Sequence, residues 1–254
     1  MLLLIDIGNT NIVVGCYENE KITQEARLAT DALKTSDQYC MDLKNLLSLY
    51  EIERASVTGV IISSVVPPVL NSVRTAVMKL TGKKPLVVGP GIKTGLNILL
   101  DNPASVGSDL VVGAAAALAM HAPPLIIIDM GTATTMTVID REARVLGGAI
   151  IPGVGISLEA LASGTSQLPH ISLDAPKKCI STDTIEAMRS GSVYGTAAVG
   201  INVYKMRWAG VLISGLLGGL GGIVIPHCRR EVIYEKNLLL NGLWELYQKN
   251  KRKR

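Results

Sequence analysis

The sequence of 254 residues is long enough for one large or two small domains, and 48% of it is hydrophobic against 18% charged. Much of the net charge of +4 lies in the tail KNKRKR, Lys249 to Arg254. A short basic run after a helix is usually solvated, and the aromatic content of 4%, with no phenylalanine, disfavours the base-stacking platforms of single-strand binders. We therefore expect no nucleic-acid partner.

Four cysteines are spread widely along the chain without any CxxC pair, at Cys16, Cys40, Cys179 and Cys228. This spacing predicts neither a zinc site nor a disulfide framework and is typical of a reducing cytoplasm. The start of the sequence lacks the features of a secretory signal. The apolar tract from Ala209 to Pro226 holds six glycines, so we interpret it as a Gly-rich loop beside a buried strand. We expect a cytoplasmic protein without membrane association.

The first predicted elements surround an aspartate. The stretch LLLIDIGNTNIVVG, Leu2 to Gly15, is an apolar strand that delivers Asp6 into a Gly-Asn-Thr-Asn turn and continues into a second strand. The segment KITQEARLAT then has the pattern of a third strand. Asp, Gly and Asn are also ordinary turn residues of a hairpin, so these residues alone leave a purely structural role open.

Helices and strands alternate through the rest of the first half. A helix with Ser36 as its candidate N-cap is followed by the buried strand GVIISSVV, Gly59 to Val66, and by a helix that begins at Pro67. A strand from Lys84 to Gly89 and an Ala-rich helix from about Val111 complete this part. The alternation predicts an α/β fold with a mixed or parallel sheet.

The second half repeats the pattern of the first. The stretch LIIIDMGTATTMTVIDREARV from Leu125 matches the opening strands, so that Asp129 corresponds to Asp6. The segment RVLGGAII supplies a third strand, and two helices follow Pro152. A repeat of this length indicates duplication. We predict two similar domains, residues 1–115 and 116–254, with a cleft between them.

The two Asp-containing turns predict a nucleotide site. Each turn offers backbone N–H groups and hydroxyls to phosphate oxygens, and each presents a carboxylate that can hold a cation. The sequence contains neither the P-loop pattern GxxxxGK[ST] nor a GxGxxG fingerprint in a βαβ unit, and GGLGG at Gly218 to Gly222 is too degenerate to count. We therefore expect the two turns to face each other across the cleft and to hold a nucleotide between them.

Six motifs in a fixed order resemble those of one family. They are DIGNTN (Asp6 to Asn11), ISSVVPP (Ile62 to Pro68), VVGPGIKTGL (Val87 to Leu96), DNPASVGSD (Asp101 to Asp109), DMGTATT (Asp129 to Thr135) and GGAIIPGVGIS (Gly147 to Ser157). Together they resemble type III pantothenate kinase, in the acetate and sugar kinase/Hsp70/actin superfamily. The resemblance covers about residues 1–200 and returns near IPHCRREVIY.

The resemblance implies a fold, an activity and partners. The fold is two duplicated actin-like (ribonuclease H-like) domains, each a mixed five-stranded sheet flanked by helices, with dimer-forming helices in the second domain. The activity is ATP-dependent phosphorylation of pantothenate to 4'-phosphopantothenate, the first step toward coenzyme A. The implied cofactors are Mg²⁺ and a monovalent cation, K⁺ or NH₄⁺, and the implied assembly is a homodimer.

The resemblance also implies roles for individual residues. Asp109 matches the general base, Asp129 the ligand of the monovalent cation, and Asp6 a ligand of Mg²⁺, directly or through water. The implied ATP-binding residues are Asp6, Ile7, Gly8, Asn9, Thr10, Asn11, Ile12, Val13 and Thr132. The implied substrate-binding residues are Leu100, Gly107, Ser108, Asp109, Leu110 and Thr184.

The chemistry of phosphoryl transfer fits these roles, because the reaction depends mostly on positioning and charge neutralisation. A carboxylate at a strand end, such as Asp6, can hold Mg²⁺, and Asp109 can accept the proton of the attacking hydroxyl. Asp109 follows Gly107 and Ser108 and precedes an apolar helix, so an N-cap role is an open alternative.

Three departures from the family pattern leave the acceptor open. Leu110 stands where the family has Arg, which would pair with the substrate carboxylate, and Leu100 stands where Tyr is common. The tract from Asn202 to Gly222 replaces a charged helix and a Thr-Gly-Gly motif, for which Ser214-Gly215 or Gly218-Gly219 are candidates. The alternatives are a kinase with another acceptor and a weakly active or non-catalytic paralogue that binds nucleotide or a pathway metabolite.

Overall fold

The computed structural model describes residues 1–203, 211–214, 220–228 and 232–251. The chain divides into two compact units. The first unit comprises Met1–Leu96, Asn102–Ala119 and Leu239–Arg254, and the second comprises Asn97–Asp101 and Met120–Leu238. In the described part of the chain, each unit contains one β-sheet.

The described elements alternate between strands and helices along the chain. The strands are β1 (Leu2–Ile7), β2 (Asn11–Glu18), β3 (Lys21–Ala29), β4 (Gly59–Ser64), β5 (Leu86–Val87), β6 (Asn97–Ile98), β7 (Leu125–Met130), β8 (Ala133–Ile139), β9 (Arg144–Pro152), β10 (Val211–Ser214) and β11 (Ile233–Glu235). The α-helices are α1 (Ser36–Leu49), α2 (Pro67–Thr81), α3 (Ser108–Met120), α4 (Val154–Ser163), α5 (Thr184–Val203), α6 (Leu220–Val224) and α7 (Leu238–Asn250).

The sheet of the first unit has the strand order β3-β2-β1-β4-β5. Strand β1 is antiparallel to β2 and parallel to β4, so the sheet is mixed, as predicted. All six residues of β1 are buried, which explains its unbroken apolar pattern, because a central strand covered on both faces has no solvent side. One face packs on α1 and α2 through a core that includes Ile5, Tyr39, Ile62 and Val77.

Capping residues define the start of α1 and both ends of α2 in the first unit. The N-cap of α1 is Thr35, whose hydroxyl accepts the N–H of Gln38 while the Gln38 side chain accepts the Thr35 N–H, a complete capping box. The prediction of Ser36 as N-cap was therefore wrong by one residue. Helix α2 has proline in its first turn and ends at Gly82 in the left-handed conformation.

The sheet of the second unit repeats this topology and confirms the duplication. Its order is β11-β10-β7-β8-β9-β6, so β7, β8, β9 and β10 take the places of β1, β2, β3 and β4. Over the residues that the structure describes, this sheet has six strands rather than the predicted five, because the two-residue strand β6 pairs with β9 at Arg144 and Val145. In the first unit, the strand predicted from Lys84 to Gly89 is reduced to β5.

The last helix of the chain packs within the first unit. Trp244 of α7 stacks on Tyr17 of β2 with ring centroids 5.0 Å apart. A side chain on Gly242 would collide with the carbonyl oxygen of Val112, so glycine permits the close approach of α7 to α3. This packing explains why residues at the end of the sequence complete the unit that begins it.

The Gly-rich tract is described in part. Its segment Val211–Ser214 forms strand β10, as expected for a strand beside a Gly-rich loop, while residues 204–210 and 215–219 lie outside the described residues. Within the described parts of the chain, none of the helices combines the length and the apolar character needed to cross a membrane.

Candidate active site

Asp6 brings a buried carboxyl group to the carboxyl end of β1. Its side chain is only 3% exposed. Its pKa is raised from 3.8 to about 7, mainly by burial; the side chain of Ser63 acts in the lowering direction, and the negative charge of Asp109 contributes to the rise. Ionising a buried carboxyl group costs free energy when no cation is near. A cation bound beside it makes the ionisation favourable, because the cation compensates the buried negative charge.

The turn after β1 presents backbone groups at the surface. The Gly8 N–H donates to the Asn11 carbonyl at 3.0 Å, and the Thr30 hydroxyl donates to the Gly8 carbonyl at 2.7 Å. Asn9 and Thr10 are exposed at its tip. Among the other residues of the predicted phosphate loop, the side chains of Ile7, Ile12 and Val13 are buried, which leaves only their backbone groups for a ligand.

Asp109 lies in the same unit, as the second residue of α3. Its Oδ1 accepts the Leu110 N–H at 2.8 Å, while the carbonyl of Gly107, before the helix, accepts the Val111 N–H at 3.3 Å. Burial raises the pKa of Asp109, and the backbone N–H groups of Leu110 and of Asp109 itself act in the opposite direction. A half-buried carboxyl group with a raised pKa is suited to accept a proton.

One serine hydroxyl near these carboxyl groups, that of Ser63, was not singled out from the sequence, and a second, that of Ser108, was predicted only as a substrate-binding group. Ser63 of β4 stands in parallel register with Asp6, and its side chain is fully buried. Its hydroxyl donates to the Ser108 hydroxyl at 3.0 Å. The signal was present in the motif ISSVVPP, because two serines at the end of an otherwise apolar strand need polar partners.

Asp129 occupies the corresponding place in the second unit. It is the penultimate residue of β7, as Asp6 is of β1, and is half-buried. In register it faces Thr135 of β8 on one side and Ser214 of β10 on the other. The structure therefore confirms the correspondence of the two aspartates at the level of strand and register.

The turn after β7 is a shorter version of the turn after β1. The Gly131 N–H donates to the Ala133 carbonyl at 2.9 Å, which repeats the bond between Gly8 and Asn11. The Thr132 carbonyl accepts the Gly153 N–H at 3.0 Å, as the Thr10 carbonyl accepts that of Thr30. Thr132 thus takes the position of Thr10, although the second turn is half-buried, whereas Asn9 and Thr10 of the first are exposed.

Thr184 begins α5 and lies on an open groove of the second unit. The groove is lined by α4 and α5, and its lining combines apolar side chains with hydroxyl groups from both helices. Residues that line it besides Thr184 include Ser157, Leu161, Leu168, Met188, Ser192 and Thr196. The groove can accept a small molecule or a protein surface that carries both apolar and polar groups.

The two leucines that replace expected polar residues lie in different units. Leu110 is half-buried in the first turn of α3 in the first unit. Leu100 belongs to the second unit, where its Cδ2 lies 3.4 Å from the position that a Cβ on Gly147 would take. Neither side chain can pair with a carboxylate, because leucine carries no charge and no hydrogen-bond donor.

The donor set of the first unit fits a hard cation. Asp6 and Asp109 supply carboxylate oxygens, and the proximity of these two charges contributes to the raised pKa of Asp6. Among the residues that the structure describes, no group of three or more His, Cys, Asp or Glu side chains forms a metal cage. Mg²⁺ is typically held by one or two carboxylates together with water and substrate phosphates, so this arrangement suits it.

Comparison with known proteins identifies the family. Residues 2–205 match the family described as type III pantothenate kinase. The chain belongs to the type III pantothenate kinase family. Two curated members illustrate the likeness: one from Exiguobacterium sp. is 41% identical over 99% of this chain and 100% of its own length, and one from Halalkalibacterium halodurans is 39% identical over 98% and 100%. The resemblance seen in the six motifs is thereby confirmed.

Solved structures support the fold of this type III pantothenate kinase family member. A protein assigned to the Baf family of transcriptional activators, from Campylobacter jejuni, superposes with a TM-score of 0.61 at 18% identity and covers 98% of both chains. The (R)-2-hydroxyglutaryl-CoA dehydratase component A of Acidaminococcus fermentans gives 0.55 at 13% identity and covers 98% of this chain and 99% of its own. These likenesses bear on the fold alone.

Proposed function

We propose that this protein transfers the γ-phosphoryl group of ATP to pantothenate and forms 4'-phosphopantothenate, the first step toward coenzyme A. The observation that carries the proposal is the pairing, within one unit of a type III pantothenate kinase family member, of Asp6 at a strand end with the helix-borne Asp109. Asp6 is suited to bind the metal ion that accompanies the nucleotide, and Asp109 is suited to accept the proton of the acceptor hydroxyl.

Asp109 acts as the general base in this proposal. Its raised pKa strengthens it as a proton acceptor, and its first-turn position on α3 holds the carboxylate in a fixed direction. As the hydroxyl oxygen of the acceptor attacks the γ-phosphorus, its proton passes to Asp109 and the bond to the β-phosphate oxygen breaks. In this proposal, backbone N–H groups of the turn from Gly8 to Asn11, whose tip is exposed, and of the half-buried turn at Thr132 bind phosphate oxygens.

Two cations complete the proposed chemistry. Asp6 would hold Mg²⁺, directly or through water, and Mg²⁺ there would neutralise charge on the phosphates. Asp129, at the same register position in the second unit, would hold K⁺ or NH₄⁺. The different burial of the two aspartates supports different tasks, because Asp6 is buried and Asp129 is half-buried.

The acceptor is pantothenate or a close analogue. Leu110 stands in place of a cationic side chain, and Leu100 stands in place of a phenolic one. These replacements favour an acceptor whose recognition depends less on its carboxylate. A kinase that prefers a neutral amide of pantothenic acid is the second candidate, and these two leucines are the observation that favours it.

We propose a cytoplasmic homodimer. All four cysteines lie within the described residues and are free thiols, which suits a reducing compartment. The second unit exposes large aliphatic side chains on and near α4 and α5, including Ile150, Ile156, Leu161 and Ile185. An apolar surface of this kind, beside the groove that carries Thr184, supports association with a second copy.

The proposal is tested by assaying purified protein with ATP, Mg²⁺, K⁺ and either pantothenate or its neutral amide, and by following both ADP and the phosphorylated product. Wild-type protein is expected to phosphorylate at least one of the two. Asp109→Asn should abolish transfer while calorimetry shows unchanged ATP binding, because the carboxylate serves the acceptor and not the nucleotide. Combined loss of ATP binding and transfer in this variant would instead assign Asp109 a structural role in α3.

A further inference from the structure

Two hydroxyl groups connect the strand beside Asp6 to the helix that carries Asp109. The Ser63 hydroxyl donates to the Ser108 hydroxyl at 3.0 Å, and Ser63 lies in parallel register with Asp6 on the neighbouring strand. Ser63 is fully buried in β4, and Ser108 is half-buried as the first residue of α3. The path from Asp6 to the residue next to Asp109 therefore consists of two side chains within one unit.

The hydroxyl of Ser108 is fully engaged inside the protein. It donates its proton to the Ser64 carbonyl at 2.8 Å and accepts the Ser64 N–H at 3.1 Å, in addition to the bond from Ser63. A serine hydroxyl has one donor and two acceptor sites, and all three are occupied here. Its side chain therefore has no capacity left for an acceptor molecule, although the family resemblance places Ser108 in the substrate-binding segment.

These hydrogen bonds hold the first turn of α3, where a small displacement would move the proposed base Asp109. Ser108 ties the first turn of α3, and with it Asp109, to the end of β4, and Ser63, which donates to the same hydroxyl, is in register with Asp6 on β1. In group transfer, a displacement of about 1 Å can reduce the rate about 100-fold. Hydrogen bonds between rigid elements are a direct means of preventing such a displacement.

We propose that Ser63 and Ser108 are a pair of positioning residues, which we term the serine bridge, and that the bridge fixes the proposed base Asp109 relative to Asp6. The effect of the bridge on the rate of transfer rests on the proposed function. The existence of the bridge rests on the hydrogen bonds alone. Neither serine contacts substrate through its side chain in this proposal. The bridge acts on the rate of transfer and not on the affinity for the acceptor.

Kinetics of Ser63→Ala, Ser108→Ala and the double variant test the bridge. Each single substitution is expected to lower kcat about tenfold or more while the KM for the acceptor changes less than about twofold. Because one bridge is broken in every case, the double variant should lose no more than the more damaged of the two single variants. Additive losses would overturn the proposal, and so would a raised KM with unchanged kcat, which would make Ser108 an acceptor-binding residue.

Two further variants separate positioning from general damage. Ser56→Ala removes another hydroxyl that donates to a backbone carbonyl, that of Glu53 at 2.7 Å, in the same unit and before β4. It should leave kcat unchanged. Ser108→Thr keeps the hydroxyl and should recover most of the rate lost in Ser108→Ala. Equal losses in Ser56→Ala and Ser108→Ala would contradict a specific role.

Hydrogen exchange of the protein without ligands gives a readout that needs no activity. Ser63→Ala leaves the backbone of α3 untouched, yet it should accelerate amide exchange in the segment from Gly107 to Val112, as Ser108→Ala should. Unchanged exchange there in both variants would overturn the bridge. If the wild-type protein phosphorylates neither acceptor, the proposed function fails, and this exchange measurement still decides whether the bridge exists.

Discussion

Asp129 of β7 lies in parallel register with Ser214 of β10, in the way that Asp6 of β1 lies in register with Ser63 of β4. An aspartate and a serine therefore occupy paired register positions at the carboxyl ends of adjacent parallel strands in both units. The sequence left two candidates for the Thr-Gly-Gly motif of the family. This register favours the first of them, Ser214-Gly215. The second candidate, Gly218-Gly219, and Gly215 itself lie outside the described residues.

Leu110→Arg is expected to improve the use of pantothenate. A charge-assisted contact contributes about 1.5–3 kcal/mol, which corresponds to roughly a 10- to 100-fold lower KM for an acceptor with a carboxylate. The KM for the neutral amide should stay the same, and Leu110→Met, which adds no charge, should change neither value. Steady-state kinetics with both acceptors measure this. An unchanged KM for pantothenate would show that residue 110 does not face the acceptor carboxylate.

The buried Asp6 is expected to make stability depend on pH. Its pKa of about 7 in the folded protein exceeds the ordinary 3.8, so the folded state binds the proton more tightly than the unfolded state. Stability should be greatest below the ordinary pKa and should fall as the pH rises from about 4 to about 7, by up to about 1.4 kcal/mol per pH unit. Above about pH 7 this loss is complete.

Denaturant unfolding of wild type and Asp6→Asn across that pH range measures the effect. The asparagine variant cannot ionise, so its advantage over wild type should grow between about pH 4 and about pH 7 and then level off. Mg²⁺ with nucleotide should reduce the advantage, because a cation at Asp6 favours the ionised form. Parallel pH curves for the two proteins would show that Asp6 ionises as easily as an exposed carboxyl group.

Asp129→Asn is expected to alter the response to monovalent cations and to spare the response to Mg²⁺. Removing a carboxylate charge weakens a site for K⁺ or NH₄⁺, so activation should need a higher concentration of either ion. Asp6→Asn should show the opposite pattern, with a changed Mg²⁺ requirement. Titrations of activity with KCl, NH₄Cl and MgCl₂ distinguish the two. The same response to every cation in both variants would contradict separate roles.

Gly153→Ala is expected to disturb the turn after β7. A Cβ at this position would collide with the carbonyl oxygens of Gly131 and Thr132, which are backbone atoms and cannot move aside cheaply. We expect a loss of about 1–3 kcal/mol in stability and weaker nucleotide binding. The control is Gly155→Ala in the first turn of α4, where a Cβ meets nothing within 4 Å. Because alanine favours helix over glycine, that variant should be neutral or slightly stabilised.

The elements that are encoded locally were predictable. Asp6 and Asp129 were matched from the sequence because each follows an unbroken apolar run and precedes a glycine-containing turn, and both features depend on neighbouring residues alone. The α/β class, the duplication and the family resemblance depend on the same local patterns. The capping residue of α1 was missed by one position because Thr35 and Ser36 have the same capping chemistry.

Relationships between distant residues were decided by tertiary structure. The sequence by itself indicated the candidate residues for the chemistry: the two aspartates, their turns and Asp109. It could not determine that Ser63 and Ser108 would share a hydrogen bond, that β6 would join the second sheet, or that α7 would pack beside β2 and α3 in the first unit. Strand register and close helix approach bring such residues together, and these depend on the packing of whole elements, whereas a sequence pattern reports only which face of one element is apolar.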